Sequence, residues 1–283
     1  MTNQVQALLK DYKELVSLPE VAVRFNEVIN DPDCNIEHLG QLLSQDPALS
    51  IRLLGIANSP FYGSASEITT VARAVMVLGI NKVRDIVLSA AVTKAFEGVP
   101  VEVISVDDFW QHSLYCGSLA KTLAQKTSVS PDAAFTAGLL HDIGALILLH
   151  RFPREMHDVI LRTIEGEEPL SMVAAEFERL GTTHTEVGTE LAKAWKLPLY
   201  LQAVIAWHHE PEKAQNFKQE VALIHIANAA AQFVGSDEDH VPEKMDVLPI
   251  SWELSGLSPD DIAPAIEAAD EQIESVRNIY FPN

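Results

Sequence analysis

In 283 residues the chain holds only two cysteines, Cys34 and Cys116, and no CxxC pair. That argues against a disulfide framework and a thiolate metal site, and both are read as free thiols. The chain also lacks any Lys/Arg-rich block, since 20 basic residues face 40 acidic ones for a formal net charge of −20. Nucleic-acid binding draws on clustered cations that release phosphate counterions, so generic DNA or RNA binding is not expected. No stretch reaches the ~18 uninterrupted apolar residues of a spanning helix, and the first ten residues have no basic flank leading into an apolar run. The expectation is a cytoplasmic protein without membrane attachment. Internal repeats and low-complexity tracts are missing, and no alternating run is long enough to read as a strand.

What is present is apolar residues at helical spacing. At 47% apolar, a chain of this length suits one or two compact domains that bury roughly three quarters of their unfolded surface. Every long segment reads as helix, so the expected fold class is all-α. Leu18-Pro19-Glu20 opens a helix with the stripe Val21, Phe25, Val28 and Ile29. Asn35 and Asp46 (before Pro47) are N-cap candidates, Thr70 to Leu78 is a short helix stopped at Gly79, and Asn81 is expected to cap the next. Gly98-Val99-Pro100 marks a boundary, after which Asp107 starts a helix and Ser130-Pro131 caps one expected to run through to Leu149. Ser171 caps a further helix, and Thr183 with Glu186 has capping-box spacing.

The expected organisation is an N-terminal helical lobe (about 10–97) packed on a second lobe (about 98–235), followed by an acidic linker and helical tail (236–283). In the tail, Ser258 caps a helix whose stripe of Ile262, Ile266, Ala269, Ile273 and Val276 must dock on its own chain or on a second subunit.

Within this apolar pattern, His141 and Asp142 stand side by side where no core needs them. Small residues, Ala134, Ala137, Gly138 and Ala145, share the face of His141, which suits close approach by another helix or room for an ion. His112 interrupts an apolar stripe four residues after Asp108, a second-shell or extra ligand candidate. His184 points inward from the first turn of its helix, His208 and His209 extend the stripe of Leu201, Val204 and Ile205, and His225 lies three residues before Asn228. Adjacent helical residues diverge by about 100°, which suits His208 and His209 to two neighbouring ions. Neutral imidazole and carboxylate are ligands for Fe, Mn, Zn or Ni, and two ions about 3.5–4 Å apart bridged by a carboxylate form a site for phosphate-ester hydrolysis. Asp142 is the candidate bridge.

His112, His141-Asp142, His184 and His208-His209 stand in the order of the HD superfamily of metal-dependent phosphohydrolases. Leu18-Pro19, Asp46-Pro47-Ala48-Leu49, Asn58-Ser59, Leu78-Gly79 and Gly138-Leu139-Leu140-His141-Asp142 resemble more specifically the HDOD family, the HD-related output domain of bacterial signalling proteins, over residues 10–235. The resemblance implies an all-helical output or scaffold module with a His/Asp pocket for one or two metal ions and little or no catalysis. In the hydrolytic case it implies that His112, His141 and Asp142 hold one ion and Asp142, His184, His208 and His209 the other, with Asp142 and a metal-held water carrying the catalysis. Asn228 stands where hydrolytic members place an aspartate, and Ala145 where a lysine commonly follows. After His209 the sequence runs Glu210-Pro211-Glu212-Lys213 without Gly-Tyr-Pro, so the cyclic di-GMP phosphodiesterase branch is not supported.

Two function classes follow. One is a signal-transduction module that engages a signalling protein or a small phosphorylated ligand; the other is a metal-dependent phosphohydrolase acting on a nucleotide or other phosphate ester. As a third, a groove near Asn58 to Gly63 could bind a partner protein through Phe61 and Tyr62.

Overall fold

A computed structural model describes residues 5, 18, 20–29, 35–59, 67–99, 101, 103–164, 171–232 and 245–281. Pro19, Cys34 and the proposed anchors Phe61 and Tyr62 lie outside the described residues. The fold is all-α, with fifteen α-helices and no strand among the described residues. The first five are α1 (Glu20–Val28), α2 (Ile36–Leu43), α3 (Pro47–Ala57), α4 (Val71–Leu78) and α5 (Ile80–Ala95). The histidine-bearing region comprises α6 (Val106–Ala124), α7 (Pro131–Leu140), α8 (Ile143–Arg151), α9 (Pro153–Ile164), α10 (Met172–Leu180), α11 (His184–Ala194), α12 (Leu199–Trp207) and α13 (Lys218–Ala231). The tail adds α14 (Pro249–Ser255) and α15 (Ile262–Tyr280).

Most helix starts are set by local side chains. Asn35, Asp46, Thr70, Ser130 and Ser171 each accept the backbone N–H three residues on, at the heads of α2, α3, α4, α7 and α10. Ser258 and Asp261 form a reciprocal capping box ahead of α15. Three starts differ from the sequence expectation. Gly79, at φ 85°, takes the N-cap position of α5 without a side-chain cap, which leaves Asn81 inside the first turn. Ser105, not Asp107, caps α6. The capping box at α11 is half made: Thr183 Oγ1 accepts from the Glu186 N–H, while the Glu186 carboxylate turns to the Thr182 hydroxyl at 2.8 Å.

The expected single helix through His141 is two. α7 ends at Leu140 and α8 begins at Ile143, with Asp142 at φ −102°, ψ 14°, the bridge region that suits a tight turn. The reason is packing on both sides of the bend. A Cβ on Gly138 would lie 2.7 Å from Gly117 Cα, so α7 rests backbone-to-backbone on α6. On the far side, a Cβ on Gly144 would lie 2.0 Å from the His184 carbonyl oxygen and 2.6 Å from Gly188 N. Only glycine lets α8 approach α11 this closely. The small-residue face thus serves helix approach, and the two crossings carry His112, His141, Asp142 and His184 to one place. Pro131–Arg151 is apolar enough overall to pass for a membrane span, yet most of it is buried inside the protein.

The remaining elements close over this centre. Tyr200 on α12 donates to Asp85 of α5 at 2.9 Å, and Asn26 of α1 donates to the Lys196 carbonyl at 2.7 Å. The tail docks on its own chain: Ile262, Ile266, Ala269 and Val276 are buried, and α15 lies along α6.

Candidate metal centre

Three imidazoles are held in the tautomer that turns a lone pair toward one carboxylate. A ring nitrogen that faces a carbonyl oxygen can only donate, which fixes the proton on His141 Nδ1 (2.7 Å from the Gly138 oxygen) and on His208 Nδ1 (3.1 Å from the Val204 oxygen). His184 Nδ1 likewise donates to the Glu176 carboxylate at 2.7 Å. Their Nε2 atoms then converge on Asp142: His141 Nε2 lies 3.2 Å from Oδ2, and His208 and His184 Nε2 lie 3.2 and 3.4 Å from Oδ1. Despite these approaches, His141 Nε2 and Asp142 Oδ1 have no hydrogen-bond partner among the described residues, and His184 Nε2 and His208 Nε2 face one another at 3.4 Å. Lone pairs crowded in this way are what a cation would relieve.

The donor atoms fall into two groups that share Asp142. Asp142, His184, His208 and His209 form one, His112, His141 and Asp142 the other, with the donors of each group within 4.8 Å of one another. The sequence reading drew the same two sets and also suited His208 and His209 to separate ions; here the donor atoms of both lie in one group. α12 ends at Trp207, His208 is its C-cap and His209 lies in the turn beyond, and the two ring centroids stand 4.2 Å apart, so both rings reach the same group.

Other candidates are placed differently. Asp108 is exposed in the first turn of α6 and stands outside both groups; its carboxylate faces the favourable end of the helix dipole instead. Asn228 is buried on α13, and its Oδ1 sits 2.9 Å from His112 Nε2. Because an amide oxygen only accepts, that nitrogen donates to it. His225 uses both ring nitrogens structurally: Nδ1 donates to the His208 carbonyl at 2.7 Å and Nε2 accepts the Leu248 N–H at 3.1 Å. Sequence reading missed Glu176. Its signal was a carboxylate beside Met172 and Ala175 on the inner face of α10.

Burial is the largest influence on every one of these histidines. It holds His208 down to about 4 and His209 well below the usual range, in both cases with help from neighbouring imidazoles. It also lowers His112, aided by His141. At His141 the Asp142 charge outweighs burial and raises the imidazole well above its ordinary value, and at His184 the Glu176 charge likewise raises it, so without a cation these rings hold a second proton that metal binding would release; Asp142, which burial alone would raise, is lowered well below the carboxylate range. The centre opens on a cleft of about 1410 Å³ lined by His209, Asn228, Trp207, Thr185, Thr189 and Lys193 among others.

Similar proteins share this architecture. A crystal structure of an HDOD domain protein of unknown function from Geobacter sulfurreducens is 26% identical, covers 100% of both chains and gives a TM-score of 0.76. A candidate phosphohydrolase from Shewanella amazonensis SB2B is 27% identical over 97% of each chain, at TM-score 0.74. A candidate signal transduction protein from Marinobacter aquaeolei VT8, at 22% identity, TM-score 0.72 and 96% of this chain against 60% of that one, shares the fold. The chain spans 46% of the length of a curated relative, an uncharacterized protein of Treponema pallidum (strain Nichols), with 24% identity over 244 residues. The profile described as HDOD domain matches residues 15–211, which together with the His/Asp centre makes this chain a member of the HDOD domain family.

Proposed function

We propose that the chain is a signal-transduction output or scaffold module whose His/Asp pocket holds divalent transition metal and performs little or no hydrolysis. The observation that supports the metal reading is the convergence of three imidazole Nε2 atoms on the Asp142 carboxylate, His141 on Oδ2 and His184 and His208 on Oδ1, an oxygen without a hydrogen-bond partner among the described residues. The donors are imidazole and carboxylate alone, which suits Fe, Mn, Zn or Ni. His184, His208, His209 and Asp142 would hold the stronger-bound ion. At the other group, His112 Nε2 is engaged by Asn228 Oδ1, and a neutral amide replaces the anionic donor a second ion would draw on. The role as an output module for a signalling partner follows the family and the name carried by the Marinobacter relative.

The rival reading, a metal-dependent phosphohydrolase acting on a nucleotide or other phosphate ester, is favoured by the open cleft beside His209 and by the name of the Shewanella relative. In such chemistry paired ions supply a nucleophile at neutral pH and stabilise phosphoryl charge. This chain would contribute Asp142 as the bridging carboxylate, while Ala145 adds no cation toward the phosphate.

Elemental analysis of protein purified without chelator tests the first reading: one ion is expected tightly held, with the His112 group partly filled. Two tightly held ions per chain would sink it. Turnover of a generic phosphodiester with added Mn²⁺ is expected to be negligible and to rise in Asn228→Asp. Robust wild-type turnover abolished by Asp142→Ala would establish the rival.

A further inference from the structure

We infer that Glu176 is a positioning residue that fixes the ring and tautomer of His184 for metal binding, an inference that rests on the metal reading above. Glu176 is completely buried on α10. Its Oε2 accepts two hydrogen bonds from the same residue, the His184 backbone N–H at 2.8 Å and the ring Nδ1–H at 2.7 Å. Among the described residues its Oε1 has no hydrogen-bond partner and no lysine or arginine pairs with the carboxylate. A buried unpaired carboxylate is costly. Satisfying the exposed N–H at the head of α11 does not require it, because a neutral amide would serve as well. What a carboxylate adds is a charge-assisted bond to Nδ1–H. That bond leaves Nε2 as the donor, aims it at Asp142 and makes it a better one, as carboxylate–histidine–metal pairs do. The buried negative charge is then balanced through the imidazole by the cation it faces.

Zn²⁺ titrated into the chelator-stripped full chain, alongside ¹⁵N ring spectra of the metal-free protein, tests this. In Glu176→Gln, which keeps an acceptor for both N–H groups, affinity at the His184 group is expected to fall roughly 10-fold, and in Glu176→Met up to roughly 100-fold. In Glu176→Met the His184 ring is expected to lose its single Nδ1–H form and show a mixture of tautomers. Wild-type affinity and an unchanged tautomer in a folded Glu176→Met protein would overturn the inference. Should that variant fail to fold, wild-type affinity in Glu176→Gln overturns it. If the wild-type chain takes up no Zn²⁺, the metal reading fails on its own, and the tautomer spectra of the metal-free variants still decide whether Glu176 sets the ring.

Discussion

Lys121 shows at residue scale how burial bends chemistry away from the centre itself. Its ammonium on α6 lies 3.5 Å from Asp132 Oδ1, while Asp132 Oδ2 also receives Lys82 at 3.0 Å. Burial lowers the Lys121 pKa to about 8; the Asp132 charge opposes the shift and the Lys82 charge adds to it. Because the unfolded lysine titrates near 10.4, the unfolded chain binds more protons than the native one between those values, so the stability gained from this group rises with pH from about 8 to about 10.4. Below pH 8 the charged form costs on the order of 3 kcal/mol. Subtracting the stability profile of Lys121→Met from that of the wild type should isolate the rise, and Nζ-detected NMR should place its midpoint near 8; titration at an ordinary lysine value would refute it. At this scale, helical spacing and motif order singled out His112, His141, Asp142, His184, His208 and His209 as ligand candidates, and their donor atoms lie together. Neither signal pointed to Glu176, whose role is set by its contact with His184, nor to the ties of His225, which depend on Leu248, 23 residues beyond it.

At the scale of elements, the centre depends on how closely α8 lies on α11. A Cβ on Gly144 would fall 2.0 Å from the His184 carbonyl and one on Gly188 2.8 Å from Ile205 Cγ2. Gly144→Ala must therefore push the two helices apart at the turn that carries His184, while the small gain in helix propensity for alanine, roughly 1 kcal/mol, cannot compensate. The expected loss is about 3 kcal/mol, with metal affinity falling because Asp142 and His184 sit on opposite sides of that contact. Gly55 inside α3, whose Cβ would meet nothing within 4 Å among the described residues, is the control: Gly55→Ala should gain up to about 1 kcal/mol and leave metal affinity at the wild-type value. Equal urea midpoints for the two variants would contradict this account. The capping residues Asn35, Asp46, Ser130 and Ser171 made the starts of α2, α3, α7 and α10 legible, because an N-cap is a local bond. The break at His141–Asp142 was not legible, since Gly144 and Gly188 place it through a contact between residues far apart in sequence. Gly79 was readable as a stop but not as the start of α5, which depends on its positive φ.

Across the whole molecule, the family match ends at residue 211 but the packing does not. α15 buries Ile262, Ile266, Ala269 and Val276 against the chain. Tyr115 on α6, the helix of His112, donates to Asp270 at 3.0 Å. Tyr280 is almost fully buried, with its hydroxyl 3.0 Å from Ser89 Oγ, its ring centroid 5.5 Å from that of Phe135, and its carbonyl accepting from Arg52. One tail helix therefore touches α3, α5, α6 and α7 together. Leu248 adds a second tie through His225 to the His208 carbonyl, which links the tail to the turn bearing two ligand candidates. The sequence showed the stripe on α15 but could not choose between its own chain and a second subunit, because a stripe records that a face is covered and not by what. From these contacts the tail is expected to melt with the rest of the chain, and two variants test that. Tyr280→Ala should cost about 3 kcal/mol and lower Tm by on the order of 10 °C in one transition. A chain ending at Gln232 should expose the α6 face, bind a hydrophobic dye and lose its sharp melt. If the tail were an independent appendage, the shortened chain would melt as sharply and at the same temperature as the full one, and Tyr280→Ala would leave that transition unmoved.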